Sequence, residues 1–88
     1  MDVPIGSMWT KNVSGFVPLW SACGACGEDN VVARLGDRDT VVVLSRPGPT
    51  FDEHENRWYE DIRVLTSSGV VGWLSRAAFD SEAFGRVT

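Results

Sequence analysis

Cys23-Gly24-Ala25-Cys26 is the spacing with the most chemistry in this chain. Two thiolates two residues apart can share one metal ion, as half of a zinc site, or can act as a redox pair. A structural zinc site needs four ligands, and the sole histidine is His54, so carboxylates or a second subunit would have to complete the set. A redox pair wants a helix N-terminus within a βαβ pattern, which the sequence lacks. The third reading is of two small loop residues, as free thiols or as a disulfide. No cofactor is expected, with zinc at Cys23 and Cys26 kept open as the alternative.

His54 stands among Asp52, Glu53 and Glu55. These residue types can bind metal or move protons. No nucleophile accompanies them, so a solvated acidic loop is the plainer reading. No Ser-His-Asp or Cys-His order stands out, and a chain of 88 residues offers little to shield a reaction from water. An enzyme is therefore not expected. Trp9, Trp20, Trp58 and Trp73 are many large rings for so small a core. Half-exposed indoles with a free N–H are favoured at interfaces. Trp58 and Trp20 are the expected exposed pair, with Trp73 packed against a hairpin.

The elements that must position these residues read as strands. Arg57 to Phe79, RWYEDIRVLTSSGVVGWLSRAAF, reads as a long antiparallel hairpin. Its first arm is aromatic and β-branched, Thr66-Ser67-Ser68-Gly69 is a turn cluster, and Val70 to Leu74 is the return strand. Gly72 interrupts that strand, which suggests a bend or the close approach of another backbone or a large ring. Val41-Val42-Val43-Leu44 is a continuous buried strand. Met8 to Val13 reads as a first strand, and Pro18 keeps Phe16 to Trp20 extended. Val31 to Leu35 is a short strand or irregular segment, and Ala83 to Val87 a last strand or frayed end. Ser21–Asn30 and Arg46–Asn56 read as loops, and Ser75 to Phe79 is short enough for one 3-10 turn. No stretch has helical periodicity.

The chain is one domain near the lower size limit for a single core, with a stability on the order of 3–5 kcal/mol. A net charge of −4 argues against non-specific nucleic-acid binding, which needs a basic surface. No apolar run approaches a membrane span, and MDVPIGSMW does not resemble a signal peptide, so a cytoplasmic location is expected. Short strands in this number must close or stack to hide their edges.

In order, GDRDTVVVL, a loop, Trp58 opening a hairpin, a Gly turn, Gly72-Trp73-Leu74 and a short turn ending on Phe79 resemble the bacterial SH3-like (Src-homology-3-like) domains. The resemblance covers roughly Met8 to Phe79. It implies an all-β fold: a small SH3-like barrel of about five or six antiparallel strands with a short 3-10 turn near the C-terminus. Residues 1–7 are then an N-terminal extension and 8–88 a single barrel domain. It also implies core roles for Leu74, Phe79 and one face of Val41 to Leu44. Trp58 matches the Trp that forms the peptide groove in eukaryotic relatives. The groove's Pro and Tyr are replaced here by Ser75 and Ala78, which departs from ordinary polyproline recognition. The expected function is a non-catalytic binding module for a peptide or protein segment. Trp58, Trp20, Tyr59, Asp52, Glu53 and Glu55 form its ligand surface, and the acidic rim suits a cationic ligand. A small metal- or redox-linked protein and a self-associating homodimer are the alternatives.

Overall fold

The Val-rich run of residues 41 to 44 forms an interior strand of the main sheet, with Val41 and Val43 in the core. The computed structural model describes residues 3–12, 14–22, 27–81 and 83–87. Among these, the strands are β1 (Met8–Lys11), β2 (Val17–Trp20), β3 (Val31–Leu35), β4 (Thr40–Ser45), β5 (Thr50–Asp52), β6 (Arg57–Tyr59), β7 (Asp61–Thr66), β8 (Val71–Ser75) and β9 (Phe84–Arg86). One helix, α1 (Arg76–Asp80), follows β8, and a 3-10 turn covers Glu28–Asn30. Every strand pairing is antiparallel, and the protein is all-β. Seven strands form one sheet in the order β3-β2-β8-β7-β4-β1-β9, and β5 and β6 form a separate pair.

Alternation along the strands decides which face is buried. Val41 and Val43 of β4, Ile62 and Val64 of β7, Leu74 of β8 and Trp9 of β1 all point inward and are buried. Leu35 on one edge strand and Phe84 on the other belong to the same cluster. Seven strands laid flat would set those edges about 29 Å apart. A single core touching both edges requires the sheet to curl around it. Phe79 of α1 fills the centre, edge-on to Trp9 at a centroid distance of 5.2 Å and stacked on Phe84 at 5.3 Å. Val3, ahead of β1, is fully buried in this core. The N–H of Gly6 and the carbonyl of Ser7 continue the pairing to Val43.

Three features depart from the sequence-based expectation. The sheet is curled but not closed into a barrel, since among the described residues β3 and β9 each pair on one side alone. Nine strands replace the expected five or six, because Val31–Leu35 and Phe84–Arg86 both form strands, the supposed loop after β4 contains β5, and Arg57–Tyr59 leaves the long hairpin to pair with it. The turn after β8 is a short α-helix rather than a 3-10 turn. The Ser75 hydroxyl accepts from the Ala77 N–H at its start, and the Ser81 N–H donates to the Ala77 carbonyl four residues back.

The β7–β8 hairpin otherwise forms as read. Gly69 turns with φ 90°, and the Thr66 hydroxyl accepts from the Val70 N–H at 3.0 Å. Gly72 faces inward, where an added Cβ would lie 2.5 Å from Leu19 Cγ and 3.0 Å from the Trp20 carbonyl oxygen. The close approach expected at this glycine is therefore that of β2.

Candidate functional site

The aromatic surface is built on the small β5–β6 hairpin. Its register sets Thr50 opposite Tyr59, Phe51 opposite Trp58 and Asp52 opposite Arg57. A cross-strand aromatic pair adds up to about 1 kcal/mol to such a ribbon, which alone would be marginal in water. Phe51 and Trp58 make that pair, with ring centroids 5.4 Å apart and planes tilted by 53°. Both remain open to solvent, Trp58 at 68% and Phe51 at 42%.

The acidic residues at the hairpin tip divide by task. Asp52 Oδ1 accepts from the N–H groups of His54 and Glu55, which holds the turn, and Asn56 closes it with φ 53°. Glu55 pairs with Arg57 at 2.9 Å. Glu53 and His54 are exposed at the tip. Among the described residues, no group of three or more His, Cys, Asp or Glu is arranged to hold a metal ion. Cys23 and Cys26 lie outside the described residues.

Beside Trp58, a cleft of about 380 Å³ separates the hairpin from the start of α1. Pro49, Trp58 and Tyr59 line the hairpin side, and Ser75 and Ala77 line the helix side. Glu60 lies between them and is largely buried, accepting from Arg46 at 3.3 Å and from Arg76 at 3.2 Å. Arg46 also donates to the Val3 carbonyl at 2.9 Å. Arg76 bonds Asp80 at 3.1 Å. That hydrogen bond, with the one to Glu60, raises the Arg76 pKa above its ordinary value despite partial burial, so the guanidinium stays charged at any working pH.

Of the residues read from sequence, Trp58 and Tyr59 line this cleft, and Asp52, Glu53 and Glu55 lie at the tip of the same hairpin. Trp20 is elsewhere. It pairs with Trp73 across β2 and β8 and lines a second depression of about 330 Å³ with Phe16, Pro18 and Val31. Ser75 lines the cleft while capping α1; Ala78 packs against the core instead. Sequence reading missed Phe51, Pro49, Arg76 and Asp80. A signal for Phe51 was present: Thr50-Phe51 is a β-forming pair set off from Trp58 by the turn formers Asp52 and Asn56.

The fold and site together define a small all-β domain with an aromatic cleft beside a short helix. No family model, curated protein or solved structure matches the chain. Among the described residues, no helix is long and apolar enough to cross a membrane.

Proposed function

We propose that the chain is a non-catalytic binding module of SH3-like type, which holds a peptide or protein segment against Trp58. The observation that carries this reading is the exposed Trp58, which lines a cleft and is paired on the hairpin with the exposed Phe51. An indole 68% open to solvent does little for the core and is costly to leave wet, whereas a ligand can cover it. The curl of the sheet around one core, with β1 between β4 and β9, supports the SH3-like part of the reading.

The ligand is an extended segment carrying arginine or lysine. The hairpin that carries Trp58 holds three carboxylates, Asp52, Glu53 and Glu55, against one arginine, and the whole chain is acidic. An indole face beside surplus negative charge favours a cation. Glu60 and Asp80, inside the cleft, are already engaged by arginines, and Glu55 pairs with Arg57, so the cation is met at Trp58 with Asp52 and Glu53 of the tip.

The test is a fluorescence or NMR titration with three sets of synthetic dodecapeptides: arginine- and lysine-containing, proline-rich and acidic. The cationic set should bind best and weaken as salt rises, and Trp58→Ala should lower its affinity at least about 30-fold. Equal binding of the acidic set, or unchanged binding by Trp58→Ala, would overturn the proposal.

A further inference from the structure

We infer that the outer face of the seven-stranded sheet is a self-association surface, on which two copies of this chain pack face to face. Met8, Val42, Leu65 and Val71 are opposite one another in register across β1, β4, β7 and β8. They form one unbroken apolar row on the solvent side, since their strand neighbours Trp9, Val41, Val43, Val64 and Gly72 point inward. Trp73 and Trp20 extend the apolar area along β8 and β2. All six are at least partly exposed, and Val71 is 40% exposed.

Charge identifies the occupant. The chain holds 12 Asp and Glu residues, yet on the outward side of β1, β2, β4, β7 and β8 the one carboxylate is Asp61, which is itself buried. The one exposed charge there is Arg63. Two copies of an acidic protein repel each other generally. The five strands bring little of that repulsion to this face, and Arg63 is long enough to lay its stem on the apolar row and reach the rim. The row is apolar along its whole length, so two copies can meet along it in the isologous way that a twofold axis requires.

The area fits a weak dimer. Five strands of four to six residues make a face of roughly 400 Å² in projection. Side-chain relief brings the accessible area of the whole face towards roughly 600 Å², an upper bound on what each copy of a curled sheet can bury and at most the lower end for specific contacts.

Sedimentation equilibrium over roughly 5–500 µM tests the inference. The mass should rise from 9.6 kDa towards twice that value. Val71→Glu and Met8→Glu, at opposite ends of the row, should each raise the dimer dissociation constant at least about tenfold. Circular dichroism melts serve to show that both variants are folded. A wild-type protein monomeric throughout the range would overturn the inference. So would a dimer that persists in both folded variants, or one that Trp58→Ala weakens as strongly, because the contact would then lie elsewhere.

Discussion

Replacing Gly72 by alanine tests how the β2–β3 hairpin is docked on the main sheet. In open space the change would stabilise a strand by about 0.5–1 kcal/mol, because glycine loses more backbone freedom on folding. Here the new methyl would lie 2.5 Å from Leu19 Cγ and 2.7 Å from Cδ2. Ordinary contacts begin near 3.4 Å, so something must move by almost 1 Å. Leu19 is fully buried and cannot swing into solvent. The Trp20 carbonyl, 3.0 Å from the same point, prevents β2 from sliding closer. Overpacking of this kind costs about 1–3 kcal/mol, so Gly72→Ala should be destabilising by about 1–2 kcal/mol net. In urea, with a slope near 1 kcal/mol/M for a chain this small, the midpoint should fall by about 1–2 M. Leu19→Ala removes the atoms that clash. In that background Gly72→Ala should become neutral or stabilising, a coupling of about 1–3 kcal/mol. A stabilising single Gly72→Ala, or a double variant additive within about 0.5 kcal/mol, would refute the docking of β2 described here.

Trp58→Ala separates recognition from folding: apart from ligand binding, its urea midpoint should move by no more than about 1 kcal/mol worth, mostly the lost Phe51 contact. Glu60→Gln leaves Arg46 and Arg76 without their shared carboxylate, and partial solvent access limits the cost to about 1–3 kcal/mol, read from the same urea curves. Val3→Ala should cost about 1.5–3 kcal/mol, because Val3 is a full member of the core although it precedes the first strand. Replacing Cys23 and Cys26 together by serine should leave peptide binding within about twofold, since the proposed surface is built on the β5–β6 hairpin.

The strands legible in the sequence were those with a strong local pattern. The Val41 to Leu44 run and the Ile62–Val64 alternation have one face against the core, and the Ser67 to Gly69 turn has the residue types its geometry demands. Gly72 announced a close approach without naming its neighbour, because the neighbour is 53 residues away in sequence. β5 was hidden because it is three residues long, carries an aspartate and buries neither Thr50 nor Phe51. Periodicity reports burial, and a strand with little burial has no period to read. The same cause misassigned Arg57 to Tyr59. Trp58 was correctly expected to be exposed, but its partner in β5 could not be named without that strand. Trp20 was grouped with Trp58 on size alone. Pairing with β8 sets it on the outer face of the sheet, a consequence of long-range register that no local pattern carries.

The cleft differs from the core in how it is held. The core residues from Val3 to Phe84 are packed by apolar contact and would keep their arrangement without Trp58 or Phe51. The two-stranded ribbon that carries those rings is too short to be stable alone and has no ladder to the main sheet among the described residues. Its base is tied instead through Glu60, which receives Arg46 from the segment after β4 and Arg76 from α1. Arg46 reaches on to the Val3 carbonyl, and the Arg76 N–H also donates to the Glu60 carbonyl at 2.8 Å. Two separate stretches of chain thus converge on the residue just beyond Tyr59, and a third, at Val3, is joined to it through Arg46. Directional charge-assisted bonds fix an angle where apolar packing on so little surface cannot. Trp58 is thereby held beside the cleft rather than collapsed into it, at the cost of leaving an indole exposed to water, and a covering ligand would relieve that cost.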